Sequence, residues 1–246
     1  MDGSRTVEPR SVDLLKDFLS SCATHEGPGS AEFTELSGLW LDLVGGVYRI
    51  EDTFYSEQRC YLALVAGDGE PVSTPRNVQI LEEWLIRGSQ KSVALDLGLS
   101  SSTVAATARH CLIKMGVRCP PRRVPAILVM AAKASRGVAV EGDARVSPLH
   151  EVERSYRIVS VQRLDDRLSD ELTPAESYVV RGVVEGRGHA DIARARGCSP
   201  RTVANQLAAA FQRLKVSGRA ELMGLLIDRR TQDCGARVPP AQNQTR

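Results

Sequence analysis

The feature that most constrains this chain is an internal repeat that aligns without a gap. Thr74–Val117 aligns on Thr173–Val216 at a constant offset of 99 residues, with nine identities in 44 positions. Between the identities, apolar residues align with apolar residues at spacings of three and four, the period of a helix that buries one face. The repeat therefore predicts the same small helical unit twice in one chain.

Capping and turn residues predict the helices of the second copy. Residues 173–176, Thr-Pro-Ala-Glu, form a capping box with proline at the first helical position. The helix that they begin is expected to end near 186–188, where two glycines flank an arginine, and a short helix is expected over 189–195.

A second pair of signals follows in the same copy. Gly197 supplies a turn with positive φ, and Ser199 caps a helix that has Pro200 in its first turn and runs to about Leu214. A fourth helix is predicted to begin near Ser217. Its apolar residues are Leu222, Leu225 and Leu226.

The helix predicted over 200–214 has two different faces, and it follows a glycine turn in the manner of a helix-turn-helix. The face expected to pack on the unit holds Val203, Leu207, Ala210 and Leu214. The opposite face holds Arg201, Ala204, Asn205, Ala208 and Gln212. Asparagine pairs with adenine, and arginine and threonine hold phosphates, so this face suits DNA. A solvated alanine-rich surface is the alternative interpretation.

Charge is divided into blocks along the chain. Residues 1–73 carry 5 basic and 13 acidic side chains, and residues 136–171 carry 6 and 8, whereas residues 74–135 carry 9 and 3 and residues 172–246 carry 12 and 6. Two basic blocks on separate helical units favour a polyanionic partner such as DNA, with solvated helix faces as the alternative.

No apolar run approaches the ~20 residues of a membrane span, and the acidic N-terminal segment argues against a signal peptide. A cytoplasmic, nucleoid-associated protein without membrane contact is therefore expected.

The run from Leu172 to Leu226 resembles the LuxR-type (NarL-like) DNA-binding domain of bacterial transcription regulators. The resemblance rests on Leu172-Thr173, Glu176, Glu185-Gly186, Ile192-Ala193, Gly197, Ser199, Arg201-Thr202-Val203, Asn205, Leu214, Val216, Arg219 and Glu221-Leu222. It implies that the helix 200–214 enters the major groove and that the fourth helix is a dimer surface. Ala204 and Gln206 stand where lysine and histidine are frequent in the family, so the preferred DNA sequence cannot be taken from relatives.

This resemblance assigns roles on the recognition helix. Base contacts are expected from Asn205 and Gln206, and positioning contacts from Arg201, Thr202, Arg213 and Lys215. The full set of expected DNA-binding residues is Arg201, Thr202, Ala204, Asn205, Gln206, Ala208, Gln212, Arg213 and Lys215.

The first copy resembles the same domain more weakly, over Thr74–Met130. Asn77 replaces the capping-box glutamate, and Ser102, Ala106 and Thr107 replace Arg201, Asn205 and Gln206. Its candidate DNA contacts are Ser102, Thr103, Ala106, Arg109 and Lys114, with Arg118, Arg122 and Arg123 as further phosphate ligands. Backbone contact or a pairing role is favoured over base reading.

The rest of the chain completes a mainly α fold of two tandem four-helix LuxR-type helix-turn-helix domains. A small β-hairpin is expected before the first domain, and whether a second one precedes the second domain stays an open alternative. The expected segments are an acidic helix and loop (1–28, helix at Val12–Leu19), a helix (Ala31–Leu43) plus hairpin (29–70), the degenerate domain (71–135), a linker with a β element (136–170), the second domain (171–230) and a disordered tail (231–246). The expected hairpin alternates Tyr48 and Ile50 on one strand with Cys60, Leu62 and Leu64 on the other. Tyr156-Arg157-Ile158 repeats Tyr48-Arg49-Ile50.

No catalytic or metal-binding constellation is present in the sequence. The six cysteines are scattered and the four histidines isolated, so we expect no enzyme activity, no metal and no cofactor.

The expected function is sequence-specific transcription regulation on double-stranded DNA. An adaptor that binds RNA polymerase or another regulator is the alternative, whereas a sigma-like role lacks an upstream polymerase-binding domain. Pairing between two chains through the fourth helices and an internal pseudo-dimer both remain open.

Overall fold

A computed structural model describes residues 32–33, 36–56, 58–117, 124–138, 140, 144–150, 155–163 and 171–235. The helix predicted at Val12–Leu19 and the basic residues Arg118, Arg122 and Arg123 lie outside these residues.

Within these residues, five antiparallel strands form one sheet in the order β1-β4-β5-β3-β2. The strands are β1 (Glu32–Phe33), β2 (Tyr48–Tyr55), β3 (Arg59–Ala66), β4 (Arg145–His150) and β5 (Ser155–Gln162). The predicted first hairpin is confirmed as β2–β3, and β4–β5 is a second hairpin before the second helical unit. The sequence did not predict that β3 pairs with β5, which joins both hairpins in one sheet.

Two details of this region differ from the sequence-based expectation. The helix expected over Ala31–Leu43 is shorter, α1 (Leu36–Val44), because Glu32 and Phe33 pair with β4 as an edge strand. The Tyr156–Ile158 echo lies on the second strand of its hairpin, whereas Tyr48–Ile50 lies on the first. The two tripeptides are therefore not equivalent in the fold.

The helices that follow each hairpin repeat one another closely. The first set is α2 (Pro75–Arg87), α3 (Gln90–Leu97) and α4 (Ser101–Lys114), followed by α5 (Ala126–Ser135). The second set is α6 (Pro174–Val184), α7 (His189–Arg196) and α8 (Pro200–Leu214), followed by α9 (Arg219–Gly235). Because α9 continues to Gly235, the first five residues of the tail expected to be disordered are helical, and residues 236–246 lie outside the description.

The turn before α4 and the turn before α8 have the same backbone geometry. Gly98 and Gly197 both have φ of 64°, and ψ is 35° and 33°. Ser100 then caps α4 by accepting from the Thr103 amide at 3.0 Å, and Ser199 caps α8 by accepting from the Thr202 amide at 3.1 Å. The two copies therefore share a local conformation that their kept residues specify.

The first helix of each unit starts differently. Thr173 and Glu176 form the predicted capping box, in which the Glu176 carboxylate accepts from the Thr173 amide at 2.8 Å. Thr74 still caps α2 by accepting from the Asn77 amide at 3.4 Å, but the Asn77 side chain donates instead to the Ser73 hydroxyl at 2.9 Å.

One hydrophobic core runs through the sheet face that the helices cover and through both helical units. A small second cluster on the other sheet face contains Phe54, Ala63, Tyr156 and Ile158. Among the described helices, none has the length and hydropathy that a bilayer crossing requires.

Candidate nucleic-acid interface

Helix α8 buries the face that the sequence predicted. Its buried side chains are Val203, Leu207, Ala210 and Leu214. The exposed residues of the predicted DNA-binding set are Arg201, Thr202, Asn205, Ala208, Gln212, Arg213 and Lys215, and Ala204 is half-buried. The capped N-terminus and the buried stripe together fix how this outer face projects from the unit.

Gln206 differs from its expected position. It is half-buried, and its side-chain carbonyl accepts a hydrogen bond from the Arg196 guanidinium at the end of α7. Arg196 also lies over the Tyr178 ring, with 5.4 Å between the guanidinium carbon and the ring centroid. Gln206 thus joins α7 to α8, and Asn205 is left as the exposed amide of the pair.

The cations of this face differ in how they are balanced. The Arg213 guanidinium lies 3.5 Å from the Glu176 carboxylate, which already serves the capping box. Hydrogen bonds from Thr173, and then the charge of Arg213, lower the pKa of Glu176. Within the described part of the chain, Arg201 and Lys215 form no ion pair, so their charges are available to phosphates.

Helix α4 presents the equivalent outer face of the first unit. The candidates Ser102, Thr103, Ala106, Arg109 and Lys114 are all exposed, whereas the side chains that face the core are Val104, Ala108, Cys111 and Leu112.

The polar groups of the α4 face are few. The Ser102 hydroxyl lies 2.7 Å from the Ser100 hydroxyl, so it faces the N-cap. In the described residues neither Arg109 nor Lys114 is ion-paired, whereas Arg87 on α2 is held by Glu83 and Asp96. This face therefore offers two unbalanced cations and no side-chain amide.

The C-terminal ends of α4 and α8 also differ. Gly116 after α4 and Lys215 after α8 are aligned in the repeat and have positive φ, 92° and 55°. Strand β2 runs against Gly116, because the Ile50 amide donates to the Met115 carbonyl at 2.8 Å. A Cβ on Gly116 would lie 2.1 Å from the Ile50 carbonyl oxygen, so only glycine fits there.

Comparison with known families agrees with this geometry for the second unit. Residues 170–226 match the family model described as bacterial regulatory proteins, luxR family. These residues are a LuxR-family helix-turn-helix domain, the kind of domain that binds DNA in transcription regulators. The match does not extend to the first unit, and neither the curated proteins nor the solved structures contain a significant match to the chain.

Proposed function

We propose that this protein is a sequence-specific transcription regulator that reads the major groove with α8. The observation that carries the proposal is the outer face of α8, where an exposed asparagine stands among small residues and unbalanced cations. Ala204 and Ala208 flank Asn205 and leave room for base edges to approach its amide. A bidentate asparagine contact to adenine discriminates by about 1–3 kcal/mol against the wrong base.

Phosphate contacts would hold α8 in the groove. Arg201 lies in the first turn of α8 and Lys215 directly after its last residue, so the two cations stand at opposite ends of the helix. Phosphate contacts fix register and orientation without carrying sequence information. Arg213 can join them when the duplex competes with Glu176 for its guanidinium.

We infer that the unit formed by 71–135 is a second, degenerate LuxR-type copy. The shared glycine turn, the shared serine caps and the ungapped repeat support this inference. The absence of an amide on the exposed face of α4 favours phosphate contact by Arg109 and Lys114 without base reading.

Selection from a random duplex library tests the proposal. The intact chain is expected to enrich one motif, and Asn205→Ala is expected to relax the preference at one or two positions of it. Thr107→Ala is a matched control, because Thr107 on α4 aligns with Gln206 and its change should leave the motif intact.

Two results would contradict the proposal. Enrichment of the same motif by Asn205→Ala would remove this residue from base reading. A folded chain that binds no duplex would reject DNA binding altogether and favour the adaptor that binds polymerase or another regulator.

A further inference from the structure

The apolar face of α9 is covered within the chain. Leu222, Met223, Leu226 and Ile227 are 0–3% exposed. The covering elements include α2 and α5 of the first unit, together with α6 of its own unit. The resemblance implied that the fourth helix could pair two chains, yet these side chains already have an intramolecular partner.

A charged contact crosses the same interface. Lys133 on α5 is buried, with a side chain 5% exposed, and its ammonium binds the Asp228 carboxylate of α9. The Asp228 side chain is 59% exposed, so the pair lies at the rim of the interface, where it is the carboxylate that faces the ammonium of the buried lysine. This ion pair therefore favours one way of docking α9 on α5.

Arg219 ties the start of α9 to both units. Its guanidinium donates to the carbonyls of Val183 at 2.8 Å and Val184 at 3.0 Å, at the end of α6. It also donates to the Val124 carbonyl at 3.0 Å, just before α5. One half-buried side chain thus satisfies three carbonyls that belong to two units.

The sheet links the units a second time. Strands β3 and β5 are antiparallel neighbours in its centre, with Leu62 opposite Val159, and β2 and β4 flank them. This order places an approximate two-fold axis between the two hairpins. Beyond β5, the Arg163 guanidinium donates to the Ser56 carbonyl of the first hairpin at 2.9 Å and to the Glu185 carboxylate at 2.8 Å.

We propose that the two helix-turn-helix units form an internal pair, and that one chain without a second copy binds one DNA site. The part of this inference that concerns DNA rests on the proposed function, whereas the covered α9 surface does not. Identical chains that pair by two-fold symmetry bind palindromic half-sites. Here the paired units have different outer faces, so the site is asymmetric. One half is read through α8, and the adjoining duplex is held through α4 regardless of its sequence.

Mass and stoichiometry test the internal pair. Sedimentation equilibrium of the full chain without DNA is expected to give the monomer mass, 26.8 kDa, at all concentrations tested. Titration of the selected duplex should saturate at one chain per site. A dimer mass, two chains per site or a palindromic selected motif would each overturn the proposal. A monomer mass without any DNA binding would support the covered α9 and contradict the proposed function.

Duplex length tests the role of the first unit. A duplex trimmed to the selected motif should bind more weakly than a duplex extended on the side of the motif that α4 contacts. This gain in affinity should not depend on the added sequence. Arg109→Ala combined with Lys114→Ala should abolish this gain and lower the salt slope on the long duplex by about two. An unchanged slope, or a gain that depends on the added sequence, would contradict phosphate holding by α4.

The docking of α9 is tested by Asp228→Ala with Arg229→Ala as its control. Asp228 faces Lys133, whereas the neighbouring Arg229 binds Glu171 within the second unit. Asp228→Ala is expected to reduce the affinity gain on the long duplex and to leave the selected motif unchanged. If both variants changed the affinity gain on the long duplex equally, the ion pair between Lys133 and Asp228 would not contribute to the coupling of the two units.

Discussion

The two helical units differ little in the residues that determine their fold and strongly in the residues on their outer faces. Both have a glycine at φ of 64° before the third helix, α4 or α8, and a serine at the N-cap of that helix. On α8 the outer face has Arg201 and Asn205, where α4 has Ser102 and Ala106. The comparison shows that a few local residues preserve the same turn and cap geometry in both units while the side chains of the outer faces differ.

A second difference lies where each helix ends. Strand β2 contacts the first unit at Gly116, where the Ile50 amide bonds to the Met115 carbonyl. The aligned Lys215 is exposed, and among the described residues no strand amide donates to the carbonyl before it. The first unit is thus tied to the sheet at the end of α4, whereas the residue that follows α8 is exposed to solvent.

The largest effect is expected from Gly116→Ala, because the new Cβ would meet the Ile50 carbonyl and the backbone would keep a positive φ. Together, strain and overpacking should lower the free energy of unfolding by roughly 2–5 kcal/mol, measured by urea denaturation. Lys215→Gly is the matched change and should alter it by no more than about 1 kcal/mol. Equal changes in the free energy of unfolding for both variants would show that the contact of β2 with Gly116 does not distinguish the two units.

Next in size is the loss of base reading. Asn205→Ala should cost about 1–3 kcal/mol of binding free energy on the selected duplex and much less on unrelated duplexes. The reciprocal change, Ala106→Asn, places an amide on α4 and should leave binding to the selected site intact. Fluorescence anisotropy titrations of both variants measure this difference between α8 and α4. A loss of affinity for the selected duplex in Ala106→Asn as well would indicate that α4 already reads bases.

Arg201→Ala should weaken all duplexes alike and lower the slope of log K against log salt by about one, because one phosphate contact is lost. Arg87→Ala is the control, since this exposed arginine is already balanced by Glu83 and Asp96. Ser102→Arg should raise the slope by a similar amount if α4 lies along the backbone. An unchanged slope for Arg201→Ala would place that residue away from phosphate.

The smallest effect concerns the capping box and pH. Hydrogen bonds from Thr173 lower the pKa of Glu176 below the ordinary glutamate value of 4.5. The ionised Glu176 carboxylate therefore stabilises the folded state fully above that value. This stabilisation is lost as pH falls through the lower pKa of the folded state. Glu176→Gln should remove this part of the acid dependence in thermal unfolding between pH 5 and roughly pH 3. The first unit has Asn77 at this position, so Asn77→Ala should change stability equally at both pH values.

Much of each helical unit could be predicted because its signals are local. A capping serine acts on an amide three residues away, and a turn glycine acts on its own φ. The buried stripe of α8 likewise follows from one helical period, and the structure confirms all four of its residues. The exposed Asn205 was predicted on the same ground.

Side-chain contacts between helices escaped prediction. Gln206 was expected beside Asn205 on the DNA face, but Arg196 binds its carbonyl. Nothing in the periodicity of α8 indicates which residue of α7 will reach it. The same holds for Arg213, whose contact with Glu176 joins residues 37 positions apart.

The sequence by itself determined that this chain builds one helical unit twice and that the two outer faces differ in chemistry, because caps, turns and helix periods act within a few residues. Only the tertiary structure decided that β3 pairs with β5 and that α9 docks on α5. These contacts join residues about 100 positions apart, as Lys133 and Asp228 show at a separation of 95. Their free energy comes from burial and partner geometry, which the linear order of residues does not specify.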